Sequence, residues 1–200
     1  MWAKIESNTI TQLYAQPKAL TIGDVNYPRN IFNLWTSSEL EAIGIYEVVI
    51  DNTNFKDKEY YTNTNQTYAF ASDTVTASYG TATTKPLADT LFTAEDQEAG
   101  LGTEGEVGSQ GLKSRHKENI NSTAAGLLQP TDWMVIRATE GGTAVPSATT
   151  TWRAAVRTKA NAMCTAIDGA ANVDALAALY VYNSASPPVR PLGDFPILGA

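Results

Sequence analysis

The chain of 200 residues is 43% apolar and 9% aromatic, enough to bury a core in one or two small domains. Its formal charge of -7, with no basic run beyond Lys113-Ser114-Arg115-His116-Lys117, speaks against a nucleic-acid partner, because phosphates reward clustered Lys and Arg. One cysteine, Cys164, excludes an internal disulfide and a thiolate metal cage, and one histidine, His116, excludes a multi-histidine metal site.

Trp2 to Glu6 and Thr9 to Tyr14 alternate as strands do, and Ser7-Asn8 between them predicts a hairpin. Ala19 to Ile22 and Val25 to Tyr27, split by Gly23-Asp24, predict a second short pair. Thr36 with Glu39 three residues on is a capping box opening a short helix through Ile43. Gly44 ends that helix, and Ile45 to Ile50 reads as a buried strand. From Tyr60 to Tyr79 a composition of Tyr, Thr, Asn and Ser predicts twisted antiparallel strands with one wet face. Tyr60, Tyr61, Tyr68 and Tyr79 there admit two readings, ordinary strand packing or an aromatic contact surface.

The character of the chain changes between Thr81 and Pro86. Ala88 to Glu98 is acidic and helix-compatible, and the glycine-punctuated stretch 93–108 predicts an exposed loop, either ordered against a partner or a plain linker. Leu112 to Leu128 predicts a helix with Ile120, Ala124, Leu127 and Leu128 on one side. Pro130 closes that run. Thr131 stands as N-cap of a helix to about Thr139, with Asp132 beside the positive end of its dipole and Trp133, Ile136 and Arg137 spaced for one face. Gly141-Gly142 and Pro146 make a turn, and Thr149 to Ile167 predicts a long helix carrying Trp152, Val156, Met163 and Ile167, with Cys164 as a small buried thiol. Beyond Ser186 the prolines preclude a helix or central strand, so an extended arm is expected. Its Val189, Leu192, Phe195, Ile197 and Leu198 either dock on a partner or fold back on the chain's own helices. The fold class is therefore α+β. A small antiparallel β module spans 1–85, a helical module 86–185, and an extended Pro-rich arm 186–200.

Arg137, Arg153 and Arg157 need acceptors if buried, and Asp132 and Glu140 are the acceptors nearby in sequence. Arg153 and Arg157, four apart, share a helix face. One reading is an ion-pair latch between the two helices; the other is a set of solvated surface arginines.

No reaction centre is legible. Gly100-Leu-Gly102-Thr-Glu-Gly105 satisfies G-x-G-x-x-G, yet it follows an acidic helix-like segment instead of a strand, and Glu104 and Glu106 would repel a pyrophosphate. The carboxylate groups Glu95, Asp96, Glu98 and Asp51, Asp57, Glu59 come without the aromatic sugar platform or repeated strands of a glycan hydrolase. Neither a cofactor nor an enzymatic activity is expected. With no apolar run near eighteen residues and no secretory-type amino terminus, the expectation is a protein made in the cytoplasm without membrane insertion.

Leu127, Leu128, Thr131, Asp132, Trp133, Arg137, Pro146, Arg153 and Arg157 together resemble a segment of tail-fibre and tail-fibre-assembly-type proteins of tailed bacteriophages. There L-L-x-x-T-D-W is followed by an arginine, a Gly/Pro turn and a helix bearing R-x-x-x-R. The resemblance covers some thirty residues and is weaker over the amino-terminal YPRNIFNLWTSSELEAIGIYEV. It implies a structural virion protein located in the tail, a connector acting by docking with other tail or fibre proteins and with copies of itself. Its rivals are an assembly chaperone that does not stay on the particle and a protein that recognises the host surface.

Overall fold

Two-residue turns set the amino-terminal strands. Ser7 and Asn8 both take positive φ, as do Ser72 and Asp73, which gives the backbone twist that tight hairpins require. A computed structural model describes residues 1–199 and divides between Thr83 and Thr84 into two units. In the first, β1 (Trp2–Glu6) and β2 (Thr9–Tyr14) form one hairpin, and β3 (Leu20–Ile22) and β4 (Val25–Tyr27) a second. A short α1 (Ile31–Leu34) precedes α2 (Ser37–Glu41). The capping box at α2 is present: the Glu39 amide donates to Thr36 Oγ1 and the Thr36 amide donates to Glu39 Oε2 at 2.7 Å. Gly44 then turns the chain at φ +79°, where a side chain would also press on the Ile5 carbonyl at 2.9 Å.

β5 (Ile45–Asp51) follows, then short β6 (Tyr61–Thr62), the hairpin β7 (Gln66–Ala71) and β8 (Thr74–Tyr79), and β9 (Thr83–Thr84), which pairs with β6. The main sheet runs β2-β1-β5-β8-β7. Its pairs are antiparallel with one exception, the central β5–β8 pair, which is parallel from Val48↔Val75 to Asp51↔Ser78. The sheet curls until its edge strands β2 and β7 approach one another. Period-two alternation sends side chains to two cores. Ile45 joins Tyr14, Leu20, Ile31, Phe32 and Leu40, while Ala3, Val48, Val75 and Ala77 form the other with Tyr46, Tyr68 and Phe70 against them. The expectation of a wholly buried strand over Ile45 to Ile50 is corrected. Only Ile45 and Val48 of the strand are buried; Val49 and Ile50 pair with β8 through their backbones, yet nothing packs over their side chains enough to bury them and both are more than half exposed.

The second unit opens with β10 (Thr90–Leu91), α3 (Ala94–Glu98) and β11 (Val107–Ser109), where β10 and β11 pair antiparallel. The stretch expected as a loop is therefore an ordered hairpin with a helical turn in it. α4 (Leu112–Leu128) packs along α6 (Ser147–Gly169), joined through a single 3-10 turn, Gln129–Thr131, and α5 (Asp132–Thr139). Leu112, His116, Ile120 and Ala124 recur every four residues on α4, and Val156, Ala160, Met163 and Ile167 recur every three to four on α6. Both stripes are buried. Lys117 Nζ meets Asp168 Oδ1 at 2.8 Å and Lys113 Nζ donates to the Asp168 carbonyl at 2.7 Å, so one end of α6 is tied to α4. Cys164 is half-buried, and burial pushes its thiol pKa up. A helix not read from the sequence, α7 (Val173–Ala178), is capped by the Asn172 side chain and buries Leu176.

Residues 181–199 contain neither helix nor strand, but they are not a free arm. The Leu192 amide donates to the Leu179 carbonyl at 3.0 Å, Trp152 Nε1 donates to the Pro196 carbonyl at 2.9 Å, and Leu192 is 2% exposed. The segment folds back as a strap over its own helices.

Candidate functional site

The helix-pair motif resolves into one anchor and several bystanders. An α-helix leaves its last carbonyls without intrahelical partners, and a cation is favourable there. Arg153 of α6 supplies one to the end of α4: its Nη1 donates to the Leu128 carbonyl at 2.9 Å and to Thr131 Oγ1 at 2.5 Å. Its Nη2 meets Asp132 Oδ1 at 2.7 Å. The guanidinium thus fastens the end of α4, the 3-10 turn and the start of α5 to α6. Its side chain is 12% exposed, against 51% for Asp132, so the carbonyl and hydroxyl are the sheltered part of this contact.

The other members of the motif depart from the sequence reading. Thr131 is not a side-chain N-cap: its backbone sits at φ -110°, ψ 0°, and its hydroxyl donates back to the Leu128 carbonyl at 2.9 Å. Arg157 lies one turn along α6 from Arg153, is exposed, and makes no ion pair among the described residues. Glu140 likewise is exposed at the end of α5 and pairs with no arginine there. Arg137 stays on its own helix, its guanidinium 4.8 Å from the centre of the Trp133 ring and its Nε donating to the Thr143 carbonyl at 3.3 Å. The latch expected from three arginines is formed by one.

The same segment presents apolar side chains. No residue of α5 is fully buried; Trp133 and Ile136, three apart, share a face and are more than half exposed, and Val135 is 40% exposed on another side of the helix. Spacing identified the face, but not that it would be left uncovered.

The tyrosines of the first unit do not gather into a contact surface. Tyr60 is buried, and burial raises its phenol pKa. Tyr68 packs on the Val48–Val75 core and its hydroxyl donates to Gln66 Oε1 at 3.3 Å, while the Tyr79 ring lies 4.9 Å from that of Phe55. Tyr61 is half-buried. Of the candidates in the strap, Leu192 is buried, Phe195 is half-buried and Val189 is exposed. Val189 joins Val181 and Tyr182 around an open, mostly apolar concavity, where Arg190 is held by Asp194 at 2.8 Å.

Sequence reasoning missed Asp89. Its carboxylate accepts from the Gly111 amide at 2.7 Å and from Ser114 Oγ at 2.8 Å, capping α4 from a segment 22 residues upstream. The Gly111 amide, with Ser114, holds its pKa below the usual carboxylate range. No local signal announces a cap supplied from that distance. Among the described residues no group of three or more His, Cys, Asp or Glu is placed to hold a metal ion. No helix described is long and apolar enough to cross a membrane. Against family models, curated proteins and solved structures, the chain has no match.

Proposed function

We propose that this chain is a structural, non-enzymatic component of a tailed-phage virion, a tail or tail-fibre connector that works by docking with neighbouring tail proteins. The observation that supports this reading is the α5 face, where Trp133 and Ile136 are exposed within the segment that resembles tail-fibre-type proteins. Arg153 holds the start of that helix on α6, so the face is presented in a set position. Apolar side chains kept uncovered on an anchored helix are suited to burial against a neighbour, and a stable interface needs about 1,000 Å² in total. Two side chains supply only the centre of such an area. Copies of the chain arranged with closed rotational symmetry would bring several such faces together.

Mass spectrometry of purified particles tests the reading, with the protein expected in the tail fraction. Abundance in infected-cell lysate with absence from finished particles would overturn it in favour of an assembly chaperone. Trp133→Ser with Ile136→Ser should leave circular dichroism unchanged and exclude the protein from particles. Normal incorporation of that variant would remove α5 from the docking surface.

A further inference from the structure

The hairpin β10–β11 is tied together by backbone hydrogen bonds, yet it leaves two apolar side chains half exposed. Its inner face is organised around Phe92. Gly102 and Gly108 lie against opposite parts of that ring, a side chain at Gly102 would overlap it, and one at Gly108 would come within 3.1 Å of it. The Phe92 amide donates to the Glu106 carbonyl at 2.9 Å and the Gly105 amide to the Phe92 carbonyl at 3.0 Å. A capping box between Thr93 and Asp96 fixes the helical turn inside the hairpin. Gly102, from the pattern that mimics a nucleotide loop, and Gly108 thus let backbone close over an aromatic ring, while Gly100 and Gly105 serve turns at positive φ.

On the other face, Leu91 and Val107 stand directly opposite each other across the two strands, 50% and 49% exposed. The hairpin is a two-stranded sheet, so each strand has an edge with no further strand on it. From Thr90 to Gln110 the sequence holds five acidic residues, Glu95, Asp96, Glu98, Glu104 and Glu106, and no Lys, Arg or His. Two such hairpins would repel each other, which disfavours symmetric pairing of copies at this edge. A basic strand would be attracted to it.

We propose that β10–β11 is a docking edge for a basic, extended segment of a partner polypeptide, received as a third strand whose alternate apolar side chains cover Leu91 and Val107. Main-chain hydrogen bonds would give affinity, and the surrounding carboxylates would select positive charge. This inference concerns a surface separate from α5 and does not depend on the virion reading.

The test uses the full chain and a fluorescent peptide, Lys-Val-Thr-Val-Lys-Val-Arg, with Glu-Val-Thr-Val-Glu-Val-Glu as its charge-reversed control. The basic peptide should bind, shift backbone amide resonances within 90–109, and bind at least about tenfold more weakly to Leu91→Ser/Val107→Ser. Glu104→Gln/Glu106→Gln, which alters only exposed side chains, should weaken it about threefold or more and reduce the salt dependence. The acidic peptide should not bind. Absence of binding by the basic peptide overturns the proposal. So does binding that the Leu91/Val107 variant retains in full, because that would be diffuse attraction to an acidic protein, and so do shifts lying outside the hairpin.

Discussion

Replacing Arg153 by Ala separates an anchor from an ion pair. The substitution removes three hydrogen bonds from a charged donor, two of them to the sheltered Leu128 carbonyl and Thr131 hydroxyl. Hydrogen bonds to charged groups contribute about 1.5–3 kcal/mol each when their partners stay dry, and less where water can replace them, as at a helix end. Loss of the methylene stem's packing adds to this, so about 3 kcal/mol is expected in all. For a helical unit of this size that is roughly a 10 °C fall in Tm. Far-ultraviolet circular dichroism reports it directly, since the long helices belong to this unit. Asp132→Asn removes only the half-exposed partner and should cost at most about 1 kcal/mol. Arg157→Ala should stay within about 0.5 kcal/mol of the parent. A cost for Arg153→Ala no greater than that for Arg157→Ala would show that Arg153 is no anchor. Equal costs for Asp132→Asn and Arg153→Ala would make the ion pair the whole contact and leave the carbonyl and hydroxyl without a share.

The strap, the ribbon and the caps give further expectations. Truncation after Ser186 should lower the Tm of the isolated monomer, and Leu192→Ala alone should cost about 2–4 kcal/mol; a truncated chain that melts like the parent would show a dispensable arm. Gly102→Ala should disorder the β10–β11 hairpin, read as lost amide-exchange protection at Phe92 and Gly105 while α4 and α6 keep theirs. The carboxylates of Asp89 and Asp96 have folded pKa values below those of the unfolded chain, because backbone amides donate to them. Their contribution is complete above the unfolded value near about pH 4 and is lost as pH falls through the folded values. Carboxyl titration by NMR checks this, and a midpoint at or above the peptide value for Asp89 would contradict the cap.

What was legible in the sequence was local. The Ser7-Asn8 hairpin, the Thr36–Glu39 capping box and the apolar stripes of α4 and α6 each depend on residues within a few positions of one another, and each is present. The parallel β5–β8 pair joins strands with β6 and β7 between them in the chain, and the Asp89 cap reaches across the β10–β11 hairpin, so neither leaves a periodic trace. Arg153 and Arg157 look equivalent by spacing. Only the axial offset of α6 against α4 decides that Arg153 is level with the Leu128 carbonyl and Arg157 is not. The strap resisted reading for a related reason: prolines forbid helix and central strand, but they do not say which surface an irregular segment will lie on. In the β hairpin, Phe92 explains Gly102, while Gly100 and Gly105 sit in open space at positive φ, so the three glycines of the spacing answer to different local demands.

The parallel seam between β5 and β8 has a consequence for how the first unit is made. Antiparallel hairpins such as β1–β2 and β7–β8 close over a two-residue turn, whereas the seam unites segments that emerge from the ribosome well apart. During synthesis β5 therefore waits, its Val48 side uncovered, until Tyr79 has been added and the second hairpin can swing against it. Until then this strand is the kind of uncovered apolar surface through which incomplete chains associate.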